Sequence, residues 1–96
     1  VRHILLVKFK SKASPKQIQE VLEDFEFIPT RIDGISDVGE GGNSPEKLND
    51  GYSHCIQITF ENEEECQNYL PHPEHETLKK KFTDILERIA VFDYSI

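Results

Sequence analysis

The chain opens on VRHILLVKFK, where His3, Leu5, Val7 and Phe9 alternate with Ile4, Leu6 and Lys8. Alternation of period two reads as a β-strand, and a strand apolar on both faces must be covered on both faces. This is the strongest constraint in the sequence, because 96 residues make one domain, spanning 1–96, with no room for a second core. At that length folding buries roughly two-thirds of the surface that the unfolded chain exposes. The hydrophobic content is only 36%, so a partner subunit is the expected further source of stability.

The remaining elements follow from local signals. Ser14 suits an N-cap and Pro15 the first helical position, and Ile18, Val21, Leu22 and Phe25 then fall at helical spacing. Pro29 breaks this helix, Gly34 turns the chain, and a weaker strand is expected at about Ile35 to Glu40. GEGGNSPEKLNDG reads as a loop. Its glycines lack the strand, Lys-Ser/Thr and helix context of a phosphate loop. YSHCIQITF is a third strand, with Tyr52, His54, Ile56, Ile58 and Phe60 on one face and Ser53, Cys55, Gln57 and Thr59 on the other. Asn62 with Glu65 predicts a capping box, and three glutamates in the first turn suit a helix N-terminus. Pro71 ends that short helix. Pro73 begins another, with an apolar stripe of Leu78, Phe82, Ile85 and Ile89, before a last strand, IAVFDYSI.

Strand, helix, strand, strand, helix pair, strand is a βαββαβ order. It predicts an α+β, ferredoxin-like protomer with a four-stranded antiparallel sheet and helices on one face. Ile4, Leu6, Ala90, Phe92 and Tyr94 then occupy the other face, a patch larger than a soluble monomer normally shows. A homodimer with two sheets meeting face to face is the expected remedy.

Composition removes several function classes. A net charge of −7 argues against nucleic acid, and the one basic run, Lys79 to Lys81, reads as a solvated helix face. No apolar stretch approaches the ~20 residues that span a bilayer. The opening segment is too short and polar for a signal peptide, so cytoplasmic residence is expected. The start at Val1 rather than Met is read as trimming of a residue or a tag. Cys55 and Cys66 read as buried or half-buried thiols rather than a disulfide framework.

Polar groups gather around YLPHPEH, Tyr69 to His75. With sheet order 4-1-3-2, and strands 1 and 3 taken as parallel neighbours, His3, His54 and Asp93 are expected at one end of the apolar face, where YLPHPEH enters. Their strand-mates Leu5, Val7, Ile56 and Val91, with Leu70 and Leu78, would complete a small apolar ligand pocket. A helix N-terminus disfavours the imidazolium form of His75 and a nearby carboxylate such as Asp93 favours it. The balance leaves a histidine able to act as a base near neutral pH. No serine or cysteine nucleophile pairs with it. His72 reads as a half-exposed turn residue between prolines. A structural bond between His75 and Asp93, satisfied core positions for His3 and His54, and a core role for the Tyr69 ring are the simpler alternatives. Zinc or iron on His3, His54, His75 and Asp93 is chemically conceivable, but no pair lies at i, i+4 on one helix. No metal is expected.

VRHILLVKFK, GYSH, the FENEE stretch at Phe60 to Glu64, YLPHPEH and the terminal FDY, with GGNSPE before strand 3, resemble the stress-responsive A/B barrel domain, or dimeric α/β barrel, family. The resemblance runs along the whole chain. It implies a ferredoxin-like protomer whose sheet pairs with a second copy into a barrel-like core. The family includes a cofactor-free plant polyketide cyclase that closes a ring by aldol chemistry. Similarity to it implies His75 as base, Asp93 as its orienting partner, Tyr69 as the phenol near the substrate carbonyl, and His3 and His54 as further pocket histidines. The chain departs from the cyclase at Leu78 and Lys79, which replace an aromatic residue and a glycine, and at Leu86, which replaces a large aromatic. Other members resemble boiling-stable plant stress proteins or small bacterial proteins without a settled activity. The expectation is therefore a homodimeric small-ligand domain without a cofactor. A cyclase or isomerase using His75 is the alternative. A monooxygenase like others of the dimeric barrel superfamily is a further one, against which the lack of tryptophan counts.

Overall fold

The computed structural model describes residues 1–42 and 51–95. Its elements are β1 (Arg2–Phe9), α1 (Pro15–Phe27), a 3-10 turn (Ile28–Thr30), β2 (Ile35–Gly41), β3 (His54–Phe60), α2 (Glu63–Tyr69), α3 (Pro73–Ile85) and β4 (Leu86–Tyr94). The four strands form one sheet in the order β2-β3-β1-β4, antiparallel throughout. The loop expected before β3 begins later than its glycines suggest, since Gly39 and Gly41 belong to β2, and its stretch 43–50 lies outside the described residues.

Local chemistry accounts for the boundaries. Ser14 and Gln17 form a reciprocal capping box at the start of α1, with Pro15 in its first turn. Gly34 takes φ +88°, a left-handed turn into β2 that a side chain would strain. Asn62 accepts the Glu65 N–H at 2.9 Å, but the return bond of the expected capping box is not made among the described residues. The Glu65 side chain lies against Gly34 instead. Helix α3 stops at Ile85, because Leu86 turns extended, so Ile89 belongs to β4 and not to the helical stripe. β3 likewise starts at His54 rather than Tyr52.

The strand directions correct one expectation. β1 pairs with β3 antiparallel, with His3 opposite Ile58 and Val7 opposite His54. Helix α1 returns the chain so that β2 runs with β1, and the β2–β3 connection reverses it once more. β3 therefore opposes both its neighbours.

Helices cover one sheet face. Leu5, Val7 and Phe9 of β1 and Ile56, Ile58 and Phe60 of β3 are buried there beneath Val21 and Phe25 of α1 and Leu78, Phe82 and Ile85 of α3. Burying each such side chain contributes roughly 1.5–3 kcal/mol. Edge-to-face contacts of Phe82 with Phe25 (5.3 Å between centroids) and Phe9 (6.2 Å) tie both long helices to β1. No described residue covers the opposite face. Ile4, Leu6 and Ala90 are half-buried there, while Phe92 and Tyr94 are exposed. Among the described residues no helix is long and apolar enough to cross a membrane.

Candidate functional site

Between α3 and the β1–β4 half of the sheet lies a cleft of about 280 Å³. Its polar wall is His3, Tyr69, His75, Lys79 and Thr83. Its apolar wall includes Leu5, Phe25, Leu78, Phe82, Leu86 and Ile89. The last turn of α2 delivers Tyr69, and the first turn of α3 delivers His75. The two rings lie 4.2 Å apart between centroids, tilted by 48°. His3 approaches Tyr69 from β1 with centroids 6.1 Å apart.

The hydrogen bonds define which atoms can react. His75 Nδ1–H donates to the Leu70 carbonyl at 2.9 Å. A carbonyl only accepts, so the proton sits on Nδ1 and neutral His75 keeps its lone pair on Nε2. Burial pushes its pKa below the ordinary value; Lys79 and His3 act in the same direction, against the Leu70 bond and Glu76. The imidazole is thus neutral at pH 7 and basic at Nε2. His3 Nδ1–H donates to Asp93 Oδ1 at 2.5 Å, which orients that ring in the same way. Tyr69 is buried, which pushes its phenol well above the ordinary range, and its hydroxyl has no hydrogen-bond partner among the described residues. It stays a donor at any physiological pH.

The expected site residues divide. His3, Leu5, Tyr69, Leu70, His75 and Leu78 line the cleft. Val7 and Ile56 lie in the closed core, and Val91 is exposed on the outer strand β4. His54 is at the far end of the sheet, because β3 runs antiparallel to β1. There the Ser53 hydroxyl meets its Nδ1 at 2.8 Å and its ring stands edge-on to Phe9, centroids 5.1 Å apart. Asp93 holds His3 rather than His75, since the strand register sets it directly opposite His3. The four-ligand metal set weighed above is therefore not assembled. His72 caps α3, its Nδ1 accepting the Glu74 N–H at 3.1 Å.

The sequence reading missed Phe25, Phe82, Thr83 and Ile89 as lining residues and met Lys79 and Leu86 only through the resemblance. Lys79 and Thr83 carried a signal: they follow His75 at i+4 and i+8, the repeat of one helix face. A wider groove of about 380 Å³ is bounded by Glu63, Cys66, Gln67, Leu70, Asp93 and Tyr94. It contains none of His3, Tyr69 and His75, which all line the smaller cleft.

Fold and cleft together define an α+β domain of ferredoxin-like topology with a histidine–tyrosine site between its helices and sheet. The family model of the stress responsive A/B barrel domain matches residues 1–96, and the chain belongs to that family. It is 33% identical over 95 residues to a stress-response A/B barrel domain-containing protein of Arabidopsis thaliana, covering 98% of this chain and 87% of the relative. It is 29% identical over 96 residues to olivetolic acid cyclase of Cannabis sativa, covering 99% and 95%. Among solved structures, a hydroxynitrile lyase from Passiflora edulis superposes with TM-score 0.91 at 26% identity, covering 99% of this chain and 91% of that one.

Proposed function

We propose that this domain acts as a homodimer whose cleft binds a small, mostly apolar carbonyl compound and moves a proton with His75. The carrying observation is the bond from His75 Nδ1–H to Leu70, which leaves Nε2 as a base in a cleft whose facing hydroxyl is Tyr69. In the step envisaged, Nε2 takes a proton from a C–H beside the substrate carbonyl, and His75 becomes imidazolium. The electron pair left behind moves to the carbonyl oxygen, where the Tyr69 O–H donates a hydrogen bond. Reversal of the transfer returns the proton to product. The names of two relatives, a cyclase and a hydroxynitrile lyase, support chemistry of this kind. Fold likeness alone does not confer it.

Exchange in heavy water tests the base directly. Aryl and alkyl ketones and aldehydes are incubated with the protein in D₂O, and loss of α-proton signal is followed by NMR. The wild type is expected to exceed the buffer rate and His75→Ala to fall back towards it. Equal rates for the two proteins would remove His75 from any such role.

The dimer rests on the uncovered face carrying Ile4, Leu6, Ala90, Phe92 and Tyr94, where a second copy buries what this chain leaves open. Sedimentation should give about twice the 11.1 kDa chain mass at micromolar concentration, and Phe92→Asp should shift it towards the monomer. A wild-type monomer under those conditions would sink the sheet-to-sheet reading.

A further inference from the structure

All three lysines of the run Lys79 to Lys81 are exposed, but they meet different neighbours. Lys81 pairs with Asp24 at 3.1 Å, linking α3 to α1. Lys80 is exposed and outside the cleft. Lys79 lines the cleft and makes no ion pair among the described residues. It stands one helical turn beyond His75, on the same face of α3, about 5–6 Å away between Cβ atoms. Thr83, the next polar residue on that wall, has its hydroxyl proton committed to the Lys79 backbone carbonyl at 2.7 Å. The Lys79 ammonium is thus the cationic donor of a cleft that is otherwise apolar, imidazole or phenol.

We infer that Lys79 anchors an anionic group of the ligand, and that the cleft takes small aryl or alkyl carboxylates carrying the reactive carbonyl. The argument is electrostatic. A chain with net charge −7 repels anions over most of its surface, so an unpaired cation beside an apolar cavity selects for a negative charge there. The one-turn spacing sets the carboxylate at Lys79 and leaves the body of the molecule against Leu78 and Phe82, with its carbonyl beside Tyr69 and His75. Ammonium is suited to this as a compact point charge on a flexible stem. This inference rests on the cleft being the ligand site, and it adds the charge of the ligand.

The test is a matched pair of probes, 4-phenylbutanoate and 4-phenylbutanamide, titrated by calorimetry into the wild type and four variants. Wild type is expected to bind the carboxylate roughly fivefold more tightly than the amide, the scale of one partly exposed ion pair. Lys79→Gln should abolish the preference by weakening the carboxylate alone. Lys79→Arg should keep it. Lys80→Gln, which changes net charge equally but lies outside the cleft, should also keep it. A wild type without preference, or equal losses in Lys79→Gln and Lys80→Gln, would overturn the anchor while leaving the cleft as a site. Failure of both probes to bind any variant or the wild type would overturn the cleft reading and the anchor with it. His75→Ala, the fourth variant, is expected to keep the preference, and loss of preference there would assign the anion to His75 instead.

Discussion

The buried face of the sheet carries a histidine at each end, and the two have nothing else in common. His3 and His54 occupy equivalent places in alternating strands, four residues apart in register, or roughly 13 Å along β1. At the His3 end, Asp93 holds the ring, and Tyr69 and His75 join His3 in lining an open cleft. At the His54 end, Ser53 and Phe9 meet the ring, which lines a surface groove together with Ile18, Leu22, Glu26 and Glu40. Alternation puts a histidine on a face; what meets it there is decided by strand direction and by the helix that returns above it. One end is the candidate site because the end of α2 and the start of α3 deliver two more ring side chains, Tyr69 and His75, to it.

The largest expected contrast is catalytic. His75→Ala should reduce α-proton exchange by about 10²–10⁴-fold, the usual weight of a positioned general base. His54→Ala, measured in the same assay on the same ketones, should leave the rate within about twofold. Comparable losses from both variants would mean that the two ends are coupled and that the cleft is not the separate site described above.

A smaller contrast concerns the residue that holds each ring. Asp93→Asn weakens a charge-assisted bond, and Ser53→Ala removes a neutral one. Each should cost about 1 kcal/mol in denaturant unfolding, the Asp93 value staying modest because its side chain is half exposed. Ring-proton chemical shifts give the sharper reading. Asp93→Asn should move the His3 ring signals and leave those of His75 in place. A His75 change as large as that of His3 would restore the pairing of Asp93 with His75 that the resemblance implied.

Much of this was legible in the sequence. Ser14–Pro15, Asn62 and Pro73 marked the helix starts, and alternation sorted both faces of β1 and β3 correctly. The parallel placement of β3 against β1 was a misreading of information that was present. β2 runs with β1 and against β3, which opposes β3 to β1 and separates His3 from His54. The partner of Asp93 was a different matter. It depends on β1–β4 register, which pairs residues 90 positions apart and leaves no local trace in either strand. Lys79 was hidden by its context, because all three lysines of the run are exposed, as a solvated face predicts, and Lys79 alone of them also borders the cleft.

The smallest contrast is in proton affinity, and it separates the two ends by cause rather than by size. Burial lowers the pKa of both His75 and His54. The unfolded chain takes up protons at these sites from about pH 6.5 downward and the folded chain only at lower pH. Within that interval the unfolded state holds more protons, so the stabilisation is complete above about pH 6.5 and drains away as the pH falls. Both histidines should therefore titrate below the ordinary value in NMR spectra. For His54 burial is the only cause, so its curve should be insensitive to distant charge substitutions. His75 is also held down by Lys79, so Lys79→Gln should raise its pKa slightly and leave His54 unmoved. A His75 curve indifferent to Lys79→Gln would place the ammonium too far from the imidazole to share a ligand with it, and the anionic anchor would fall with that result.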